Sequence, residues 1–149
     1  MSTTLTAVTV YTIGYQGVSI DEFVRRLKDE GIEMIVDVRA VPFSRKPGFS
    51  KNPLSVRLAA EGISYRHFPS LGIPSRYRKE LEDYESLFLL YEMEILPNVG
   101  AEVARVTELC RQNPAALLCF EANPAECHRS RLAKYMSGLY DTKTEHIRF

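Results

Sequence analysis

Three observations predict a three-layer α/β sandwich around a mostly parallel sheet of about five strands. Short β-branched, apolar runs alternate along the chain with segments of helical period. Two of those runs, 34–38 and 116–120, are apolar at successive positions, as strands covered on both faces are. The turn after the first run, Gly14-Tyr15-Gln16-Gly17, is not G-x-G-x-x-G, and no phosphate-loop lysine follows it. The expected fold is therefore Rossmann-like without a dinucleotide fingerprint. With 149 residues and no internal repeat, low-complexity stretch or linker, it is expected to form a single domain over 1–149.

The elements follow in order. Val8 to Ile13 reads as a strand, and Gly14 to Gly17 punctuates it. Ser19 and Glu22 have capping-box spacing, Ile20, Phe23, Val24 and Leu27 supply the helical stripe, and Gly31 ends the helix. Met34 to Val38 is the second strand. Pro42 to Lys51 is a basic, aromatic loop, and Pro53 to Glu61 a short helix stopped by Gly62. Ile63 to Phe68 is a third strand, after which Pro69, Gly72 and Pro74 break the chain. Tyr84, Leu87, Phe88, Tyr91 and Ile95 stripe one helix; Val99, Val103, Val106 and Cys110 stripe another. Ala116 to Phe120 is the fourth strand, the last helix starts near Pro124, and Glu145 to Phe149 adds an edge strand.

Composition excludes several classes. The formal net charge is zero, so a basic nucleic-acid footprint is absent overall and any such binding needs a local patch. No run of about 18 apolar residues offers a membrane span. Met1-Ser2-Thr3-Thr4 has no basic segment leading an apolar one, so a cytoplasmic location is expected. The three cysteines, Cys110, Cys119 and Cys127, are an odd number in no framework spacing, which argues against structural disulfides. No cofactor is expected, and oligomeric state is not readable.

The unusual polar residues gather where strands end, the rim at which open α/β sheets bind ligands. Asp37 and Arg39, two apart, share a strand face. Asp37 serves either as a general base or as half of a structural ion pair with Arg39 or Arg129, and Glu121 has the same two readings. At the last helix, Asn123 caps, Pro124 takes the first position and Glu126 the third. That phase turns His128 and Arg129 toward the sheet and Cys127 away from it, beside Ser130 and Lys134. His128 is then a candidate for proton transfer. Arg129 either binds an anion or ties the helix to the sheet. Cys127, near a helix N-terminus, is a weaker candidate nucleophile, and Cys119 reads as core. A metal site is not expected: the spacing fits no zinc pattern, and Cys127 and His128 are expected to diverge. Arg45, Lys46 and Lys51 frame Phe49 in a loop suited to phosphate and base stacking, although Phe43 or Phe49 serves equally as a core plug. Tyr15 and His67 join the ligand-binding candidates, with Arg76, Tyr77 and Arg78 of the same type nearby.

Thr12-Ile13-Gly14-Tyr15, Ile35-Val36-Asp37-Val38-Arg39, Ser44 to Phe49, His67 to Gly72, and Cys119-Phe120-Glu121 followed by Cys127-His128-Arg129 occur in that order. Together they resemble the family catalogued as domain of unknown function 488, over about Thr12 to Ile147. The resemblance implies a cytosolic α/β domain of bacterial or archaeal type, with Asp37, Arg39, Glu121, Cys127, His128 and Arg129 as signature positions. It implies no particular activity. Asp37-Val38-Arg39, and a cysteine-ended strand followed by Arg129-Ser130, are also faintly similar to rhodanese-like domains. Nine residues separate Cys119 from Arg129, where the rhodanese active loop is short and contains glycine.

The sequence thus points to an anion-binding pocket at the carboxyl rim, recognising or processing a phosphate-bearing ligand, either a nucleotide or a nucleic acid. Arg39, Arg45, Lys46 and Arg129 are its expected anion contacts. The alternatives are a thiol-dependent sulfurtransferase-like enzyme using Cys127 or Cys119, and a non-catalytic interaction module. Whether the protein is an enzyme is left open.

Overall fold

Seven residues, Val8–Gly14, all but Tyr11 and Gly14 β-branched, form β1, the second strand from one edge of a five-stranded sheet. The computed structural model describes residues 7–81 and 83–149; the reading of Met1 to Thr4 lies outside them. The remaining strands are β2 (Met34–Asp37), β3 (Ser64–His67), β4 (Ala115–Cys119) and β5 (Thr142–Ile147). All neighbours are parallel, in the order β3-β2-β4-β1-β5. β2 and β4 are wholly buried, whereas the edge strands β3 and β5 alternate with exposed positions. The apolar runs at 34–36 and 116–120 mark these central strands, as expected of a doubly covered parallel sheet.

Helices cover both faces. On one, α1 (Ile20–Asp29) and α2 (Lys51–Ala60) pack Phe23, Leu27, Leu54 and Leu58 against Ile13, Ile35 and Leu118. The capping box forms: Ser19 Oγ accepts from the Glu22 amide at 3.1 Å, and the Glu22 carboxylate accepts from the Ser19 amide. On the other face lie α4 (Tyr84–Leu90), α5 (Gly100–Gln112) and α6 (His128–Leu139), which pack Phe88, Val103, Val106 and Leu132 against Val10, Val36 and Leu117. The short α3 (Ser75–Glu80) precedes them. The three-layer α/β prediction therefore holds. No helix among the described residues is long and apolar enough to cross a membrane.

This topology makes a crevice. The chain leaves β1 and β2 toward α1 and α2 on one face, and leaves β4 toward α6 on the other. The segments after β1, β2 and β4 part company at β4, and this divergence opens a hollow outside the strand ends.

The edge strand expected over Glu145 to Phe149 runs instead over Thr142–Ile147, and the start of the last helix is corrected as well. The last helix begins at His128, not near Pro124. Pro124–Glu126 form a separate 3₁₀ turn capped by Asn123, and Cys127 between them is extended at φ −133° and ψ 141°. The break resets the helical phase on which the direction of Cys127 had been reckoned.

Candidate functional site

The register decides which rim residues meet. Asp37 lies opposite Leu118, so Cys119 is one residue beyond it, and side chains one apart point to opposite faces. Asp37 therefore faces the α1/α2 layer and Cys119 the α6 layer. Two polar clusters result, one on each face of the same rim.

The first cluster is closed. The Asp37 carboxylate is fully buried and accepts from the Arg39 amide at 3.1 Å, from Arg39 Nε at 2.9 Å and from Arg39 Nη2 at 2.7 Å. The Tyr65 hydroxyl also donates to it in a very short bond. Arg39 Nη1 donates to the Tyr15 hydroxyl and to the Phe49 carbonyl. Tyr15 stacks on Phe49 with centroids 4.4 Å apart, and Phe49 is completely buried. Phe49 is thus the core plug and offers no surface for base stacking; Phe43 is the exposed aromatic of that loop. Burial acts to lower the Arg39 pKa, but its bonds to Asp37 outweigh this and hold it above the usual arginine value. Burial first, and the bond to Asp37 second, push the Tyr65 phenol well above its ordinary range. His67 is spent on structure, with Nε2 at 2.8 Å from the Arg39 carbonyl.

The second cluster is looser. Cys119, Cys127 and His128 are all buried, and their ligand atoms lie within 4.8 Å of one another. His128 Nε2 is 2.8 Å from the Val38 carbonyl, which can only accept, so Nε2 carries a proton. In the neutral ring Nδ1 then turns its lone pair to two sulfurs, 3.4 Å from Cys119 Sγ and 3.9 Å from Cys127 Sγ. The Glu121 carboxylate stands 3.5 Å from Cys119 Sγ and 3.9 Å from the Arg78 guanidinium. Tyr91 packs edge-on against the His128 ring.

Cys127 reverses its expected direction. It points inward because the turn before it places it outside the helix, and it does not diverge from His128. Burial, and secondarily its bond to Cys119, raise the Cys127 thiol well above its ordinary pKa, which disfavours it as a free nucleophile.

A cavity of about 560 Å³ opens between the rim segments. Tyr15, Arg39, Phe43, Arg45 and Arg78 line it, together with Cys119, Glu121 and His128. Asp37, Lys46, His67, Cys127 and Arg129 do not line it. Arg129 is fully buried and reaches neither carboxylate: it donates to the Glu121 carbonyl at 2.6 Å and points toward that of Ala122. It ties α6 to the turn after β4. The approach is tight enough that a Cβ on Gly14 would lie 1.9 Å from the Glu121 carbonyl oxygen.

Of the residues singled out in the sequence, Tyr15, Arg39, Arg45, Glu121 and His128 line one hollow, whereas Asp37 takes its alternative role as half of a structural ion pair with Arg39 and Arg129 lies away from the cavity. Two residues gain weight. Cys119, expected chiefly in the core and only alternatively as a nucleophile, ends a buried strand and lines the cavity. Arg78, notable in the sequence only as one of several nearby cations, lines it too, because the fold brings α3 to the rim.

The chain matches the family model described as Domain of unknown function DUF488 over residues 19–136. The protein belongs to the DUF488 family. No curated protein and no solved structure matches it, and no rhodanese-like relative emerges.

Proposed function

We propose that the rim cavity binds a small phosphate-bearing ligand, with Arg45 and Arg78 holding the anion in the cavity that Cys119, Glu121 and His128 also line. One observation carries this reading. The cavity lies outside the carboxyl ends of the central strands, and two exposed arginines line it, separate from the buried Arg39–Asp37 pair. Among the described residues Arg45 has no carboxylate partner, and Arg78 has only the long 3.9 Å approach to Glu121. A guanidinium suits the planar, two-point recognition of a phosphate. Arg39 drops out as an anion contact because its donors are directed at Asp37, Tyr15 and the Phe49 carbonyl, and Arg129 because it is fully buried away from the cavity and donates to the Glu121 carbonyl.

Thermal unfolding with inorganic phosphate, pyrophosphate, a mononucleotide and a short single-stranded DNA tests this. Ligand at 100 times Kd stabilises the fold by about 2.7 kcal/mol. At about 2–4 °C per kcal/mol for a chain of this size, the shift is easily read. Arg45→Ala and Arg78→Ala each diminish it. No response to any of the four anions at millimolar concentration overturns the reading.

A second reading is thiol chemistry through Cys119, favoured by the 3.4 Å approach of His128 Nδ1 to the sulfur that lines the cavity. Its test is alkylation by iodoacetamide. Cys119 reacts faster than Cys127 and Cys110, and His128→Gln slows it; equal slow labelling of all three overturns it.

A further inference from the structure

We infer that Cys119, Cys127 and His128 form a binding site for one zinc-type divalent metal ion at the rim cavity. The argument is geometric. Zinc holds thiolate sulfur at about 2.3 Å and imidazole nitrogen at about 2.0–2.1 Å in a tetrahedron. Those bond lengths require sulfur–nitrogen edges of about 3.6 Å. The two edges here are 3.4 Å and 3.9 Å, and they bracket that value. The third edge, sulfur to sulfur, is under 4.8 Å, against about 3.8 Å in an ideal zinc tetrahedron.

The outer contacts agree. A ligating histidine ordinarily donates its other ring N–H to a carbonyl or carboxylate, which fixes the tautomer and aims the ring. His128 Nε2 does this to Val38, so the free nitrogen is the one that faces the sulfurs. Sequence spacing concealed the set because Cys127 and His128 are adjacent. They converge only because Cys127 is extended ahead of the helix that His128 begins.

Charge also balances. Binding releases the two thiol protons to solvent, and two thiolates, a neutral imidazole and a divalent cation leave a buried site with no net charge. Three protein ligands leave a fourth position. Cys119 and His128 line the cavity together with Glu121, whereas Cys127 lies behind them, so that position opens into the cavity. An open fourth position is the arrangement of a zinc that binds water or substrate. The inference does not require an anion to bind at Arg45 and Arg78. It does compete with the nucleophile reading, because the sulfur of Cys119 cannot be both a free nucleophile and a ligand.

The test is a cobalt(II) titration of the chelator-treated, reduced, full-length protein, followed by absorbance. The expected result is saturation at one equivalent, with thiolate-to-cobalt charge-transfer and tetrahedral ligand-field bands that zinc abolishes. Zinc also slows modification of two thiols by Ellman's reagent. Cys127→Ser weakens the charge-transfer band and the affinity, while Cys110→Ser, outside the cluster, leaves both unchanged. The wild-type titration stands even if a variant misfolds. Absence of the charge-transfer band in the wild type, or its survival at full strength in Cys127→Ser, overturns the inference. Loss of the phosphate response alone leaves it intact.

Discussion

The two polar clusters lie at the same rim, each around buried groups, and end in opposite states. On the α1/α2 face, each Asp37 oxygen accepts from Arg39, a tyrosine hydroxyl adds to one of them, and the arginine spends its remaining reach on Tyr15 and Phe49. On the α6 face, two thiols and an imidazole nitrogen meet at distances of 3.4 and 3.9 Å, bound by weak donors alone. The first cluster has discharged its bonding capacity within the protein, and the second has kept its capacity beside a cavity. Charge and burial alone therefore do not identify a site. A buried ionic group with every partner in place serves the fold, whereas underused ligand atoms facing a hollow are available to something else.

This contrast can be broken by substitution. Arg39→Leu strands the buried Asp37 carboxylate, and removing one partner of such a pair costs about 3–5 kcal/mol in denaturant unfolding. A loss below about 1 kcal/mol would show that Asp37 is free to take up a proton and restore it as a candidate base. Tyr65→Phe removes one bond to the same carboxylate and is expected to cost about 1.5–3 kcal/mol. Cys119→Ala in the looser cluster should cost only about 1 kcal/mol, an ordinary core loss, while weakening the cobalt charge-transfer band and removing thiol labelling at that position. Arg78→Ala should stay within about 0.5 kcal/mol of the parent in stability and still suppress the phosphate response.

The smallest expected effect lies at the far end of the rim. Burial first, then the positive charges of Arg129 and Arg148, lower the pKa of His146 below its usual 6.5. The unfolded chain then binds the proton more readily than the folded one. This contribution is fully present above pH 6.5 and is lost as pH falls from there through the folded-state value. His146→Gln should flatten the stability profile in that window, and an unchanged profile would remove His146 as its source.

Much of the architecture was legible because its causes are local. The capping box at Ser19 and Glu22, the largely apolar stretches at 34–38 and 116–120, and the proline-led break after Phe68 each report on a few neighbouring residues. The location of the cavity was legible too, since the ends of buried parallel strands are known before their order is. Lost from view were directions set by distant partners. Cys127 was reckoned outward because Pro124 looked like the start of one continuous helix. Arg129, expected either to bind an anion or to tie the helix to the sheet, does the second, and through the backbone carbonyls of the turn after β4 rather than a carboxylate.

The sequence by itself determined the alternation of strands and helices, the covered central strands and the rim where charged residues accumulate, because period and capping act within a few residues. Tertiary structure alone decided which of those residues meet. A one-residue offset in register sends Asp37 and Cys119 to opposite faces, and a single 3₁₀ turn swings Cys127 back toward His128. Register and helix phase are fixed by packing against strands far away in the chain, so no reading of neighbouring residues contains them.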